Sequence, residues 1–184
     1  MVGTDVSSAG GTNNSITSVT GAGLTWVLVR RTNTQRGTAE IWRAFAPAQL
    51  TNVTVTANLA MSAVSSMTVM SFRGVNTSGT NGSGAIGNTG TGNGTTGSPT
   101  ASLVTLGNNS LVVGVGEDWN AAPLVTAGAN QTVVHQAAFT NLATFWAQRQ
   151  NAVTPASGTT VTINDIVPTN HVYNLTICEI LTAP

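Results

Sequence analysis

Lysine is absent from the 184-residue sequence, whose six basic residues are all arginine. Without lysine, the chain cannot form a Schiff base on a side-chain amine, and it cannot form lysine–asparagine isopeptide crosslinks. Charged residues make up only 7% of the chain, and the formal net charge is zero. Because phosphate binding needs clustered basic side chains, we expect no nucleic-acid partner. The same scarcity argues against a polybasic membrane anchor.

Cysteine is almost absent as well, since Cys178 stands alone and no internal disulfide can form. It lies in the run 173–180 and is interpreted as a small buried residue on the last strand. The chain shows no signal-peptide pattern at its start and no apolar run long enough to cross a membrane. We therefore expect no insertion into a membrane.

Enzyme motifs are also missing. The chain contains no Gly-x-Ser-x-Gly elbow and no HExxH motif, and its two histidines are too few for a His-rich zinc site. Six acidic residues are present, but their spacing marks no facing pair of carboxylates for acid–base catalysis. We therefore predict that the protein is not an enzyme.

The chain is rich in strand-forming and turn-forming residues, with 31 Thr, 20 Gly and 41% hydrophobic residues. Short β-rich runs are separated by Gly, Asn, Pro and Ser, and several alternate apolar and polar residues. The pattern predicts one all-β domain over residues 1–184, an antiparallel, jelly-roll-like β-sandwich of about ten strands. The candidate strands are Ser15–Val19, Thr25–Arg31, Ala39–Ala46, Asn52–Ala57, Ser66–Phe72, Ala101–Thr105, Ser110–Gly116, Gln131–Ala138, Ala143–Arg149, Thr159–Ile163 and Tyr173–Ile180.

One segment departs from this pattern. Residues 74–100 consist almost entirely of Gly, Asn, Thr and Ser, and only Val75 and Ile86 are sizeable apolar residues. This composition predicts a long low-complexity loop or flap, which is either functional or disordered. Such a tract can also pack as closely stacked turns over a sheet.

Four stretches together, Ser18–Trp26, Gly37–Pro47, Gly114–Asn120 and Phe145–Gln150, resemble an uncharacterised β-sandwich module of large secreted or surface proteins in environmental bacteria. The resemblance covers nearly the whole chain. It implies a β-sandwich, an extracellular or cell-surface location, and the company of adhesive domains. It implies no particular catalytic or binding residue.

The start of the chain differs from that resemblance. In similar modules an apolar strand precedes the position of Val2, whereas this chain begins at Met1. If that strand is trimmed, a sheet edge or groove is left open, and open edges invite strand addition from another chain. We therefore expect either a homo-oligomer joined by strand addition or binding of a peptide that carries the strand.

The run after the candidate strand Ser110–Gly116 carries candidate Ca²⁺ ligands, namely Glu117, Asp118 and Asn120, because calcium prefers oxygen donors. Their spacing does not match an EF-hand loop, and adjacent residues of an extended chain point to opposite faces. The alternative is a turn in which Asp118 caps backbone amides and Trp119 covers an edge of the core. We expect no other cofactor.

A second set suggests carbohydrate binding. Residues 131–138 and 143–149 are separated by a short loop and are predicted to form a hairpin, with Trp146 and Gln148 on one face and Arg149 on the other. Aromatic faces beside amide and guanidinium donors suit a sugar ring. The candidate ligand-binding residues are Trp119, Trp146, Gln148, Arg149 and His135. The alternative is a cross-strand polar ladder with a Trp that closes the sandwich.

The leading prediction is a non-enzymatic structural or adhesive module of a bacterial extracellular or surface protein, in contact with polysaccharide, neighbouring domains or subunits. The alternatives are a carbohydrate-binding module and a subunit that self-assembles by strand addition. The exposure of the four tryptophans distinguishes a structural module from a carbohydrate-binding module. A sugar binder exposes at least one of them in a shallow groove, whereas a structural spacer buries all four. They are Trp26, Trp42, Trp119 and Trp146.

Overall fold

The structure, a computed structural model, describes residues 2–7, 14–120 and 123–184, and for residues 2–7 it describes the backbone alone. The described chain is all-β, with a single short 3-10 turn at Ser83–Ala85. Its strands are β1 Val2–Ser7, β2 Ile16–Gly21, β3 Val27–Thr32, β4 Thr38–Arg43, β5 Val55–Leu59, β6 Val64–Val69, β7 Ile86–Gly94, β8 Thr100–Val104, β9 Leu111–Asp118, β10 Thr126–Ala127, β11 Gln131–Phe139, β12 Ala143–Gln150, β13 Thr160–Val167 and β14 Tyr173–Ile180.

These strands form four antiparallel sheets. The largest has five strands in the order β11-β12-β9-β14-β7, and a four-stranded sheet has the order β3-β4-β1-β6. A three-stranded sheet, β10-β13-β8, and a two-stranded ribbon, β2-β5, complete the fold. The predicted antiparallel β-sandwich class is therefore confirmed, whereas the finer jelly-roll topology stays a prediction.

The five-stranded sheet is a central layer that is covered on both faces, and β14 is buried at every position. One apolar core lies between this sheet and β8 and β13, and it contains Trp146, Ile163 and Leu175. A second core lies between the same sheet and β4, and it contains Ile41, Val113 and Cys178. Because successive side chains of a strand point to opposite faces, both faces of β14 supply a core.

A third core covers the other face of the four-stranded sheet. Trp42 of β4 packs there with Ile16 and Val19 of β2, and the β2-β5 ribbon forms the outer layer. Strand β4 therefore contributes to two cores, with Ile41 on one face and Trp42 on the other. The buried Cys178 agrees with its interpretation as a small core residue.

The tract 74–100 corrects a prediction, because its central part is a strand rather than a loop. Strand β7 pairs with β14 from Tyr173↔Gly94 to Ile180↔Ile86. Its glycines are required by a neighbouring backbone: a Cβ added to Gly92 would lie 1.8 Å from the carbonyl oxygen of Thr100 in β8. At Gly90 and Gly92 the backbone of β8 passes directly over β7, and that packing leaves no room for a side chain at these two positions.

The first strand, β1, was not among the candidate strands predicted from the sequence. Strand β1 does not lie at a sheet edge, because it pairs with β4 on one side and with β6 on the other. Val2 is paired with Trp42 and with Val69. Residues 2–7 therefore fill a place inside the four-stranded sheet.

Candidate functional site

The predicted hairpin is confirmed, since β11 and β12 pair from Gln131↔Gln150 to Phe139↔Ala143, with a bulge between Val133 and His135. Trp146 and Gln148 share a face as expected, but that face is turned inward. The Trp146 side chain is 2% exposed. Its ring lies on Gly116 of β9, where an added Cβ would come within 2.1 Å of the indole. Trp146 is therefore part of the core and offers no ring face to a sugar.

Gln148 belongs to a buried amide network. Its Nε2 donates to Oε1 of Gln131 at 3.1 Å, and that oxygen also accepts from the backbone N–H of Asn164 at 3.1 Å. The Gln131 Nε2 donates in turn to Oδ1 of Asn164 at 2.9 Å. The network joins β11 and β12 to β13, so the amides act as ties between layers.

Two more residues of the predicted sugar set, His135 and Arg149, lie apart from this face. His135 is exposed, and its Nδ1 lies 3.3 Å from Oγ1 of Thr68. Arg149 is half-buried and donates to the backbone oxygen of Gln150 at 2.7 Å. The structure therefore does not bring His135, Trp146 and Gln148 together on one surface.

Asp165 lies beside this amide network and is 2% exposed. Neither of its carboxyl oxygens has a hydrogen-bond partner of good geometry among the described residues. Burial raises the pKa of Asp165 to about 8, and the nearby Gln148 amide offsets only part of the rise. Since ionisation without partners is costly in the interior, this carboxyl is mainly protonated at neutral pH.

The candidate calcium ligands Glu117 and Asp118 are both buried, and they point to opposite sides of the central sheet. Glu117 accepts a hydrogen bond from Nδ2 of Asn174 at 3.0 Å. Asp118 lies 3.0 Å from Nδ1 of His171 and accepts from the backbone N–H of Asn120 at 2.8 Å. This arrangement agrees with the alternative to a calcium site, in which Asp118 caps a backbone amide of a turn.

Burial shifts the pKa of both carboxyls. It raises the pKa of Glu117 well above its ordinary value; the Asn174 hydrogen bond opposes this rise and the Asp118 charge adds to it. Burial also raises the pKa of Asp118, while the Asn120 N–H and His171 oppose the rise. Among the described residues, no group of three or more His, Cys, Asp or Glu side chains is placed to hold a metal ion.

The tryptophans meet neither expectation in full, since none is exposed, as a sugar binder requires, and not all four are buried, as a structural spacer requires. Trp42 and Trp146 are buried, whereas Trp26 and Trp119 are half-buried. The guanidinium of Arg36 covers one side of Trp119, 5.2 Å from the ring centroid, in a cation–π contact. Trp119 and Trp146 therefore form no shared surface on which a sugar ring could stack. The other half-buried tryptophan is Trp26.

A partly buried ion pair, in which only the glutamate is fully buried, was not predicted from the sequence. Glu40 of β4 is fully buried and accepts from Nε of Arg31 at 2.7 Å, from Nε1 of Trp42 at 2.9 Å and from the backbone N–H of Ile16 at 2.8 Å. These bonds join β2, β3 and β4. The signal in the sequence was a charged residue, Glu40, inside the otherwise apolar run Ala39–Trp42.

Glu179 is a second carboxylate held by the backbone. It accepts hydrogen bonds from the N–H groups of Asn88, Leu106 and Gly107 at 2.9–3.0 Å. Burial favours a higher pKa, but hydrogen bonds from Gly107, Leu106 and Asn88 outweigh it and lower the pKa of Glu179. The charge therefore ties the β8–β9 connection to β14 and to β7.

The structure contains an apolar groove of about 610 Å³. It lies at the end of the four-stranded sheet where β4 and β6 finish, and sequence reasoning missed it. Its signal was that apolar residues continue past both strand ends, into 44–47 and 70–72. Several of its side chains are exposed: Phe45, Leu50, Val53 and Val69.

The groove opens into two of the three cores. Met70, Phe72, Val75 and Ile86 line it and pack against the core beneath β4. On the opposite side, Trp26 and Val55 line it and pack against the core under the β2-β5 ribbon. Both walls are therefore apolar.

Two arginines border the groove. Arg43 is half-buried and donates to the backbone oxygens of Thr80 and Asn81, and Arg73 is exposed. Neither forms a salt bridge with a carboxylate among the described residues. The groove thus combines apolar walls with a positive rim, and none of the residues that line it is acidic.

Within the described residues, no helix has the length and apolar character that crossing a membrane requires. No protein-family model, no curated protein and no solved structure matches this chain.

Proposed function

We propose that this chain is a non-enzymatic structural or adhesive module of a bacterial extracellular or surface protein, and that it holds a polypeptide partner in the apolar groove. The groove carries the proposal. Val69, 52% exposed, stands at its border, and Phe45, Leu50 and Val53 are exposed around it. A contiguous exposed apolar patch on one face is typical of an interaction surface.

The distribution of acids supports a non-catalytic role. All the acidic side chains that the structure describes are buried: Glu40, Glu117, Asp118, Asp165 and Glu179. Glu40 and Glu179 hold backbone groups and layers together. General acid–base catalysis needs a titratable group within reach of a substrate, and these groups face the interior.

The surface composition supports an extracellular location. The sequence is rich in Thr, Asn and Gly and poor in charge, and its single thiol is buried. The resemblance to modules of secreted proteins points the same way. The carbohydrate-binding alternative is weakened, because Trp146 and Gln148 are interior residues.

The test compares two matched variants on two surfaces. Val69→Asp introduces a charge at the groove, and Val104→Asp is the control, since Val104 ends β8, is 47% exposed and lies outside the groove. Retention is measured on immobilised, reduced and alkylated α-lactalbumin, which presents extended chain, and on a panel of insoluble polysaccharides.

We expect retention on the unfolded polypeptide that falls at least tenfold in Val69→Asp and stays unchanged in Val104→Asp. The proposal is wrong if the unfolded polypeptide retains neither protein. Retention on a polysaccharide that Trp119→Ala abolishes and Val69→Asp leaves intact would establish the carbohydrate-binding alternative instead.

A further inference from the structure

A cluster of amides joins the central sheet to the three-stranded sheet that covers it. Gln131 and Gln148 extend from the central sheet, and Asn164 lies on β13. The backbone of Asn164 fixes how both glutamine amides are oriented, because its N–H can only donate and its C=O can only accept. This N–H donates to Gln131 at 3.1 Å, so the atom of Gln131 that faces it is the oxygen Oε1.

Gln148 is oriented by the same neighbours. Its Nε2 faces two acceptors, Oε1 of Gln131 at 3.1 Å and the backbone oxygen of Asn164 at 3.4 Å. Because an amide nitrogen carries two hydrogens, both of them are used. The oxygen Oε1 of Gln148 is buried and accepts no hydrogen bond from the described residues. Gln148 therefore has an acceptor to spare and no donor.

Asp165 follows Asn164 on β13, and its carboxyl lies beside the Gln148 amide. Both carboxyl oxygens are buried, and neither accepts a hydrogen bond within the part of the chain that the structure describes. An ionised Asp165 would add two acceptors where one is already in excess. It would receive an N–H from Gln148 only if Gln148 gave up a bond to Gln131 or Asn164. A protonated carboxyl removes the mismatch, because its hydroxyl is a donor.

The neighbouring elements place few charges near this carboxyl. The elements packed against β13 are β8, β9, β10 and β12, and β11 is hydrogen-bonded to it. The titratable side chains of these five elements are Glu117, Asp118, His135 and Arg149. Glu117 and Arg149 lie on the opposite face of the central sheet, because each is one residue away from a position that faces β13. His135 lies beside Thr68 of β6.

Asp118 shares the face of Gln148 but lies farther along the sheet. It is four residues from Gly114, the partner of Gln148, which is about 13 Å along a strand. Its own partner is His171. Tyr173 also borders this core and bonds to the backbone of Thr100. No charged side chain is among the causes of the raised pKa of Asp165, which are burial and the opposing Gln148 amide.

We propose that Asp165 is held as a neutral carboxylic acid whose hydroxyl donates to Oε1 of Gln148, and that this bond makes the docking of the three-stranded sheet on the central sheet pH-dependent. No residue of the apolar groove takes part. The three-stranded sheet is closed while the proton is present and opens more readily once it is lost.

The size of the effect follows from proton linkage. Opening of the three-stranded sheet exposes Asp165 to water, where the pKa of a carboxyl is in its ordinary range. The closed form keeps its proton up to about pH 8. The open population therefore rises about tenfold for each pH unit between about pH 5 and 8. Above about pH 8 the rise stops, because both forms are ionised.

Hydrogen exchange followed by NMR measures this opening. The reporter is the backbone N–H of Asn164, which bonds across the layers to Gln131. The matched control is the backbone N–H of Ile16, which bonds to Oε1 of Glu40 at 2.8 Å and ties the β2-β5 ribbon to β4. We expect the protection factor of Asn164, corrected for intrinsic exchange, to fall about tenfold per pH unit from pH 5 to 8. That of Ile16 stays constant.

Asp165→Asn is the diagnostic variant, because an asparagine amide donates to Gln148 at every pH. In this variant the protection factor of Asn164 should not change between pH 5 and 8. The wild type gives a second readout that needs no substitution. The side-chain carbonyl carbons of Asp165 and Gln148 should shift together in a carbon-13 NMR titration, with one midpoint near pH 8.

Four results would overturn the proposal. The first is a midpoint for Asp165 below about pH 5, which means that the carboxyl is ionised in the folded chain. The second is a Gln148 carbonyl that does not follow the titration. The third is an equal fall in Asn164 protection in the wild type and in Asp165→Asn. The fourth is a fall for Ile16 as steep as that for Asn164, which assigns the effect to the whole molecule.

Discussion

Replacing Asp165 by asparagine removes a buried carboxyl whose pKa burial raises from 3.8 to about 8. Between these two pH values the folded chain binds a proton at this site that the unfolded chain has already lost. A carboxyl with a raised folded-state pKa therefore contributes stability at low pH, and this contribution is lost as pH rises through about 8. The expected slope is about −1.4 kcal/mol per pH unit.

The magnitude follows from the same two pKa values. At pH 7 the unfolded carboxyl is ionised and the folded one is mostly protonated, so the free energy of unfolding is about 4 kcal/mol lower than at strongly acid pH. The asparagine side chain of the variant would not titrate. It would carry a pH-independent cost of roughly 1–3 kcal/mol for a buried amide without full hydrogen bonding, so only the pH-dependent part is interpreted.

The assay is urea unfolding of the wild type and Asp165→Asn at several pH values from 5 to 8. We expect the wild type to lose stability relative to the variant by about 3–4 kcal/mol across this range. Glu179→Gln is the matched control: the pKa of Glu179 is lowered, so its contribution is lost only as pH falls below the ordinary carboxyl range. A difference between wild type and Asp165→Asn that stays constant within about 1 kcal/mol from pH 5 to 8 would refute the reasoning.

Three further predictions concern the interior. Glu40→Ala should lower the free energy of unfolding by about 3–5 kcal/mol, because it leaves Arg31 without its buried partner, and a loss below about 1 kcal/mol in urea unfolding would contradict this. Gly92→Ala should cost about 2–3 kcal/mol by clashing with β8, against about 1 kcal/mol for Gly97→Ala, which has a φ of 97° but open space around it. Equal thermal shifts for the two would contradict the packing of β8 on β7. Cys178 should react with a thiol reagent only on unfolding, and rapid labelling of the native protein would be inconsistent with its burial.

The strands with clear alternation could be predicted from sequence. The hairpin of β11 and β12 is confirmed, and so is the sharing of a face by Trp146 and Gln148. Alternation does not indicate whether a face meets solvent or another layer. In a central sheet both faces meet other layers. The aromatic and amide residues that resemble a sugar site in the sequence, Trp146 and Gln148, therefore lie in the interior.

Strand β7 and the groove escaped prediction for different reasons. A strand is recognised by apolar or β-branched side chains at alternate positions, whereas Gly90 and Gly92 hold those positions here because β8 lies against them. The groove depends on the register of β1 between β4 and β6, which is a long-range property. Local sequence patterns carry no information about such pairing.

Because burial raises the pKa of several acidic side chains, the net charge of the folded molecule is expected to differ from the formal charge counted from its composition. Glu117, Asp118 and Asp165 all have raised pKa values, while Arg30, Arg36 and Arg73 are exposed. Because the pKa of Asp165 is raised to about 8, folding takes up a proton at this carboxyl at neutral pH, and unfolding releases it into the solvent. The native protein should focus at a more basic position than its sequence pI of 6.7, and the urea-unfolded chain should return towards that value. At neutral pH we therefore expect the folded chain to migrate further towards the cathode than its formal charges, which sum to zero, would place it.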